Sequence, residues 1–76
     1  DANILVTINA THEIWIDRRL IDPRAVRPKI ERLHAENPQG SVVIQANNKS
    51  SNKMLVEVMD SARLAGVYSI SIADSR

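Results

Sequence analysis

Apolar and polar positions alternate strictly at the start of the chain: Ile4, Val6 and Ile8 fall on one face of an extended backbone, Leu5 and Thr7 on the other. Period two with β-branched residues is the mark of a strand, here Ile4 to Asn9. Asn9-Ala10-Thr11-His12 reads as a turn, and Glu13 to Asp17 resumes the alternation with Ile14 and Ile16 on one face. A short polar link between two such runs favours an antiparallel hairpin.

The period then changes. Asp22-Pro23 is a helix start, because an aspartate accepts from orphan amides and proline has no donor to lose at the first helical position. Val26, Ile30 and Leu33 follow at spacings of four and three, one helical stripe. Pro28 lies inside that helix, so either its first turn is irregular or the regular helix begins nearer Arg27. Asn37-Pro38-Gln39-Gly40 ends it.

Val42 to Ala46 is a third strand, followed by the polar break Asn47 to Asn52 with several candidate caps. Leu55, Val58, Ala62 and Ala65 form the stripe of a second helix, with Met59 at its border and Gly66 placed as a left-handed cap. Tyr68 to Ala73 is the last strand, with Ile70 and Ile72 inward and Ser69 and Ser71 outward. The order is β-β-α-β-α-β, which predicts an α/β (α+β, two-layer) fold with two helices on one face of a small mixed sheet. The final crossover is expected to be right-handed, joining parallel strands.

Seventy-six residues make one domain, 1–76, burying only roughly 60–65% of its unfolded surface. A core this small often gains from oligomerisation. Ten basic residues against nine acidic give a net charge of +1, too even for electrostatics to drive nucleic-acid binding. The cluster Arg18, Arg19, Arg24, Arg27 and Lys29 reads first as a solvated face, with preference for an anionic surface as the alternative. Without cysteine there is neither disulfide nor thiolate metal site. No apolar run approaches the roughly 20 residues of a membrane span. The opening Asp1-Ala2-Asn3 runs directly into a strand without an initiator methionine, which is expected of a fragment of a longer protein.

Catalytic patterns are missing as well. His12 and His34 have no carboxylate at metal-ligand spacing and read as surface residues without a role. No serine sits in a nucleophile elbow, and Gly40 and Gly66 alone build no phosphate loop. Glu57 and Asp60 lie on the polar side of their helix. The chain is expected not to be an enzyme, and to need no cofactor or metal.

Two features point to partners instead. Leu5, Trp15, Val43 and Tyr68 fall on the face opposite the main isoleucine set, where an uncovered sheet would leave them partly exposed. Tryptophan and tyrosine commonly anchor interfaces. The strands also carry no proline to block edge pairing. Ser69-Ile70-Ser71-Ile72-Ala73 is β-prone and near the chain end, though the connectivity alone leaves it either edge or central.

The segments Ile14-Trp15-Ile16-Asp17, Glu36-Asn37-Pro38-Gln39-Gly40, Val42-Val43-Ile44-Gln45-Ala46, Val56-Glu57-Val58-Met59-Asp60, Ala62-Arg63 and Ala65-Gly66-Val67 form an ordered set. Through that set the chain resembles, along residues 4–73, the periplasmic domain of the ExbD/TolR family. It resembles ExbD more than TolR. One departure is visible: the family commonly has an Asp after the third strand and a Tyr-Gly pair before the second helix, where this chain has Asn47 and Asn52-Lys53.

The resemblance implies the periplasmic domain of a single-pass inner-membrane protein of a Gram-negative bacterium. The transmembrane helix, with its proton-responsive Asp, is not in this chain. Such proteins work as a homodimer within an ExbB oligomer, contacting the ExbB-like subunit through that helix. They couple the proton motive force to TonB, which drives outer-membrane import of siderophores, haem or vitamin B12. The implied role here is engagement of an extended TonB segment. The expected contacts are Ser69, Ile70, Ser71, Ile72 and Ala73 by strand pairing, with Trp15 and Leu5 on the sheet face. The alternative is a TolR-like peptidoglycan-binding module, in which the polar loop Asn47 to Asn52, Arg18 and Arg19 meet the cell wall. A third reading, a regulatory domain binding a metabolite between subunits, has only the fold outline behind it.

Overall fold

The computed structural model describes residues 3–75. Its elements are β1 (Ile4–Ile8), β2 (Ile14–Ile16), β3 (Arg19–Ile21), a 3₁₀ turn (Pro23–Ala25), α1 (Val26–Glu36), β4 (Val42–Asn47), α2 (Asn52–Leu64) and β5 (Ile70–Ser75). The strands form one mixed sheet in the order β3-β2-β1-β4-β5, antiparallel across β3-β2-β1 and parallel across β1-β4-β5. The two-layer α+β architecture expected from the periodicity is the one observed.

One strand was not foreseen. β3 pairs back onto β2 through the two-residue loop Asp17-Arg18, in which both residues have left-handed φ, 57° and 66°. Positive φ at both loop positions is the type I′ geometry that matches the twist of a tight hairpin. The last strand is also displaced. β5 starts at Ile70, so Tyr68 and Ser69 lie ahead of it and Tyr68 is not on the sheet face.

The remaining elements follow local chemistry. The Asp22 carboxylate accepts from the Arg24 amide at 2.8 Å and opens the 3₁₀ turn, so the first helical turn is indeed irregular. Pro28 falls in the first turn of α1, where a missing amide donor costs nothing. The Ser51 hydroxyl caps α2 by accepting from Lys53 and Met54. Gly66, at φ +96°, turns the chain out of α2, and the Val67 amide donates back to the Ala62 carbonyl.

The core lies between the helices and one sheet face. Ile4, Val6, Ile8, Ile14, Ile16, Val42 and Ile44 meet Val26 and Ile30 of α1 and Val58 and Ala62 of α2. His34 departs from its expected surface position. It is half-buried, its ring lies beside Gly66, and its Nδ1 is enclosed without a hydrogen-bond partner among the described residues.

Helix cover stops short of the sheet margins. Five strands span four steps of about 4.8 Å, roughly 19 Å, while two helix axes pack about 8–10 Å apart. The outermost strands therefore sit at the border of the helix layer. Ile72 lies opposite fully buried Ile44 yet remains 50% exposed, against the expectation that it points inward into the core.

Candidate functional site

The candidate site is the outer edge of β5 with the sheet surface beside it. Strand order makes β5 an outer strand, which the sequence left open. The ladder to β4 then determines which backbone groups are free. The Val42 amide donates to the Ser69 carbonyl at 3.0 Å, and Val42 lies opposite Ile70. Successive residues of a strand direct their backbone groups to alternate sides. Ser69, Ser71 and Ala73 therefore bond toward β4, and Ile70 and Ile72 present their N–H and C=O groups outward.

This edge has the features that favour strand addition. Its side chains on the helix side are half-buried Ile70 and half-exposed Ile72; Ser71 and Ala73 are exposed on the other face. Ser69 contributes its carbonyl to the ladder, while its hydroxyl lies 2.9 Å from that of Ser41. Serine 69 thus closes the sheet internally rather than facing the free edge.

The open sheet face carries two cross-strand rows. Leu5, Val43 and Ser71 form one; Leu20, Trp15, Thr7, Gln45 and Ala73 form the other, one residue from each strand. Trp15 and Val43 are half-buried and Leu5 is 46% exposed. The structure therefore places Trp15 and Leu5 on the same face as Ser71 and Ala73 but two or more strands from the β5 edge. A single added strand at β5 does not reach them; a partner lying over the face does. Leu20, 56% exposed, joins this surface and was missed because β3 was missed.

The loop assigned to cell-wall contact is largely engaged with itself. Asn47 Oδ1 accepts from the Lys49 amide, the Ser50 hydroxyl donates to the Asn47 carbonyl, and Ser51 caps α2. Asn48, Lys49 and Asn52 remain exposed.

On the far side of the sheet the Asp22 carboxyl is held below its ordinary range by the Arg24 amide and then by the Arg24 side chain. Among the described residues no group of three or more histidine and acidic side chains is arranged to hold a metal ion. No helix there is long and apolar enough to cross a membrane.

Comparison with known proteins gives this architecture a context. Biopolymer transport protein exbD2 of Vibrio cholerae serotype O1 is 43% identical over 72 residues, which cover 95% of this chain and 54% of that protein. The chain thus spans about half the length of that relative. The sequence profile described as "Biopolymer transport protein ExbD/TolR" matches residues 1–76, the whole chain. The identity and the full-length match together establish that the chain belongs to the ExbD/TolR family.

Proposed function

We propose that this chain is the periplasmic engagement domain of an ExbD-type subunit, and that it works by binding partners rather than by catalysis. In the whole protein a membrane helix outside this chain joins an ExbB-like subunit and responds to the proton motive force. The domain engages an extended segment of a TonB-like partner, and so contributes to energised import across the outer membrane. A homodimer is the working unit of the full protein.

The observation that carries this reading is the uncapped edge of β5. Among the described residues, Ile70 and Ile72 present backbone groups with no strand beside them, and no strand proline or helix covers them. An extended peptide satisfies those groups by joining the sheet. It also covers the exposed half of Ile72, worth about 1 kcal/mol if full burial of such a side chain is worth roughly 1.5–3 kcal/mol. An edge strand tolerates proline where its N–H faces outward. Ile70→Pro is therefore expected to fold and to lose peptide binding at least about tenfold, near 1.4 kcal/mol. Undiminished binding by folded Ile70→Pro excludes β5 as the docking edge.

The second reading, a TolR-like peptidoglycan-binding module, draws on the exposed Asn48 and Lys49 at the loop after β4. The internal hydrogen bonds of Asn47, Ser50 and Ser51 leave that loop fewer groups for a glycan. Co-sedimentation with purified sacculi separates the two readings. Pelleting with sacculi, together with indifference to the TonB-type peptide, favours the cell wall.

A further inference from the structure

The opposite margin of the sheet carries a second site, independent of docking at β5. β3 is the other outer strand. Residues flanking a two-residue hairpin loop form a hydrogen-bonded pair, here Ile16 and Arg19, and the pairs then alternate. Leu20, opposite Trp15, therefore directs its N–H and C=O away from the sheet.

Beside this edge lies an open groove of about 370 Å³, bounded by Ile21 of β3, by Ala25, and by Pro28, Lys29 and Arg32 of α1. Its floor is apolar, and two of its five lining residues are cations. Arg19 stands on the same face of β3 as Ile21, two residues away. The charges in this region divide into two kinds. Arg24 is paired with Asp22 and Arg27 with Glu31, each at 3.3 Å. Arg19, Lys29 and Arg32 make no ion pair among the described residues, and no acidic side chain lines the groove.

We propose that the β3 edge and this groove bind an extended acidic peptide segment. The backbone of one of its residues pairs with Leu20. Its acidic side chains, alternating along the strand, fall on the helix side beside Arg19, Lys29 and Arg32, with their methylene stems on Ile21, Ala25 and Pro28. Charge complementarity selects this occupant over a second copy of the chain, whose own groove carries the same two cations, Lys29 and Arg32. The exposed backbone pair at Leu20 selects a peptide over an anionic lipid surface, which has no use for it.

The test is amide NMR of the ¹⁵N-labelled chain with the capped hexapeptide Glu-Val-Glu-Thr-Glu-Val. Shifts are expected at Arg19, Leu20 and Ile21 and around Lys29 and Arg32, weakening several-fold as salt rises from about 0.05 to 0.5 M. The double variant Lys29→Glu/Arg32→Glu is expected to lose about tenfold in affinity. Lys49→Glu/Lys53→Glu makes the same change in net charge elsewhere and is expected to bind normally. Arg32→Glu alone, at an exposed position, serves if the half-buried Lys29 does not tolerate reversal. Equal losses in both double variants overturn the proposal, as do equal binding of a Lys-for-Glu peptide, shifts confined to β5, or an unchanged spectrum. Binding to phosphatidylglycerol vesicles without peptide shifts overturns it too, by assigning the cations to a membrane.

Discussion

Single residues fix the points where this chain turns, and Gly66 is the clearest. Its φ of +96° lies where an L side chain is strained. A Cβ there would meet the His34 ring at 3.7 Å, an ordinary contact, so the backbone supplies the penalty. Gly66→Ala is expected to lower stability by about 1–2 kcal/mol, read as a lower urea midpoint at unchanged slope. Ile44 is buried to 0% exposure at the centre of the sheet, and Ile44→Ala is expected to cost about 2–5 kcal/mol by the same measurement. Asp22 adds a pH dependence. Its folded pKa lies below the ordinary aspartate value of 3.8, so its contribution is present above that value and lost as pH falls through the folded pKa. Asn accepts from the Arg24 amide as Asp does, so Asp22→Asn is expected to keep the cap and flatten stability against pH below about pH 4. An equally steep acid limb in the variant would remove Asp22 as its source.

Elements show how a strained turn and an uncovered margin produce the two sheet edges. Arg18 holds a left-handed φ of 66° without being glycine. Arg18→Gly is expected to stabilise the β2–β3 hairpin by about 0.5–1 kcal/mol, seen as a higher thermal midpoint, because the relief of strain exceeds glycine's entropic cost. On β5 the ladder predicts opposite outcomes for neighbouring prolines. Ser71→Pro removes a donor facing β4 and is expected to unfold the chain or lower its midpoint sharply, whereas Ile72→Pro removes an outward donor and leaves the fold in place. Circular dichroism distinguishes them. The same physics explains what was legible in the sequence. Strands β1, β2 and β4 announce themselves through alternation, and both helices through their stripes and caps. β3 is hidden because Arg19-Leu20-Ile21 is three residues long and its turn, Asp17-Arg18, lacks the glycine that usually marks such a loop. The start of β5 is set by Val42 pairing with Ser69, a long-range contact no local pattern contains. Of the candidate site, the residues Ile70 to Ala73 were readable as a strand, but their place at the margin depends on strand order. The half-exposure of Ile72 depends on how far two helices reach.

At the scale of the whole molecule, a five-stranded sheet covered by two helices leaves both margins open and gives them different chemistry. The β5 margin is aliphatic and nearly uncharged over its described side chains, suited to pairing through the backbone. The β3 margin carries cations, Lys29 and Arg32, in the groove beside α1. A small domain with one core and two unlike edges suits the partner-engaging role proposed above for an ExbD-type domain. In that proposal β5 accepts an extended segment of a TonB-like partner as an added strand. That docking is tested most directly by a two-dimensional amide NMR titration of the chain with a peptide from the periplasmic linker of its cognate TonB-like protein. Docking at β5 is expected to give shifts centred on Ile70 and Ile72, smaller ones through β4, and slowed hydrogen exchange at the Ile70 and Ile72 amides. An unchanged spectrum at millimolar peptide, or shifts that leave β5 untouched, would contradict it.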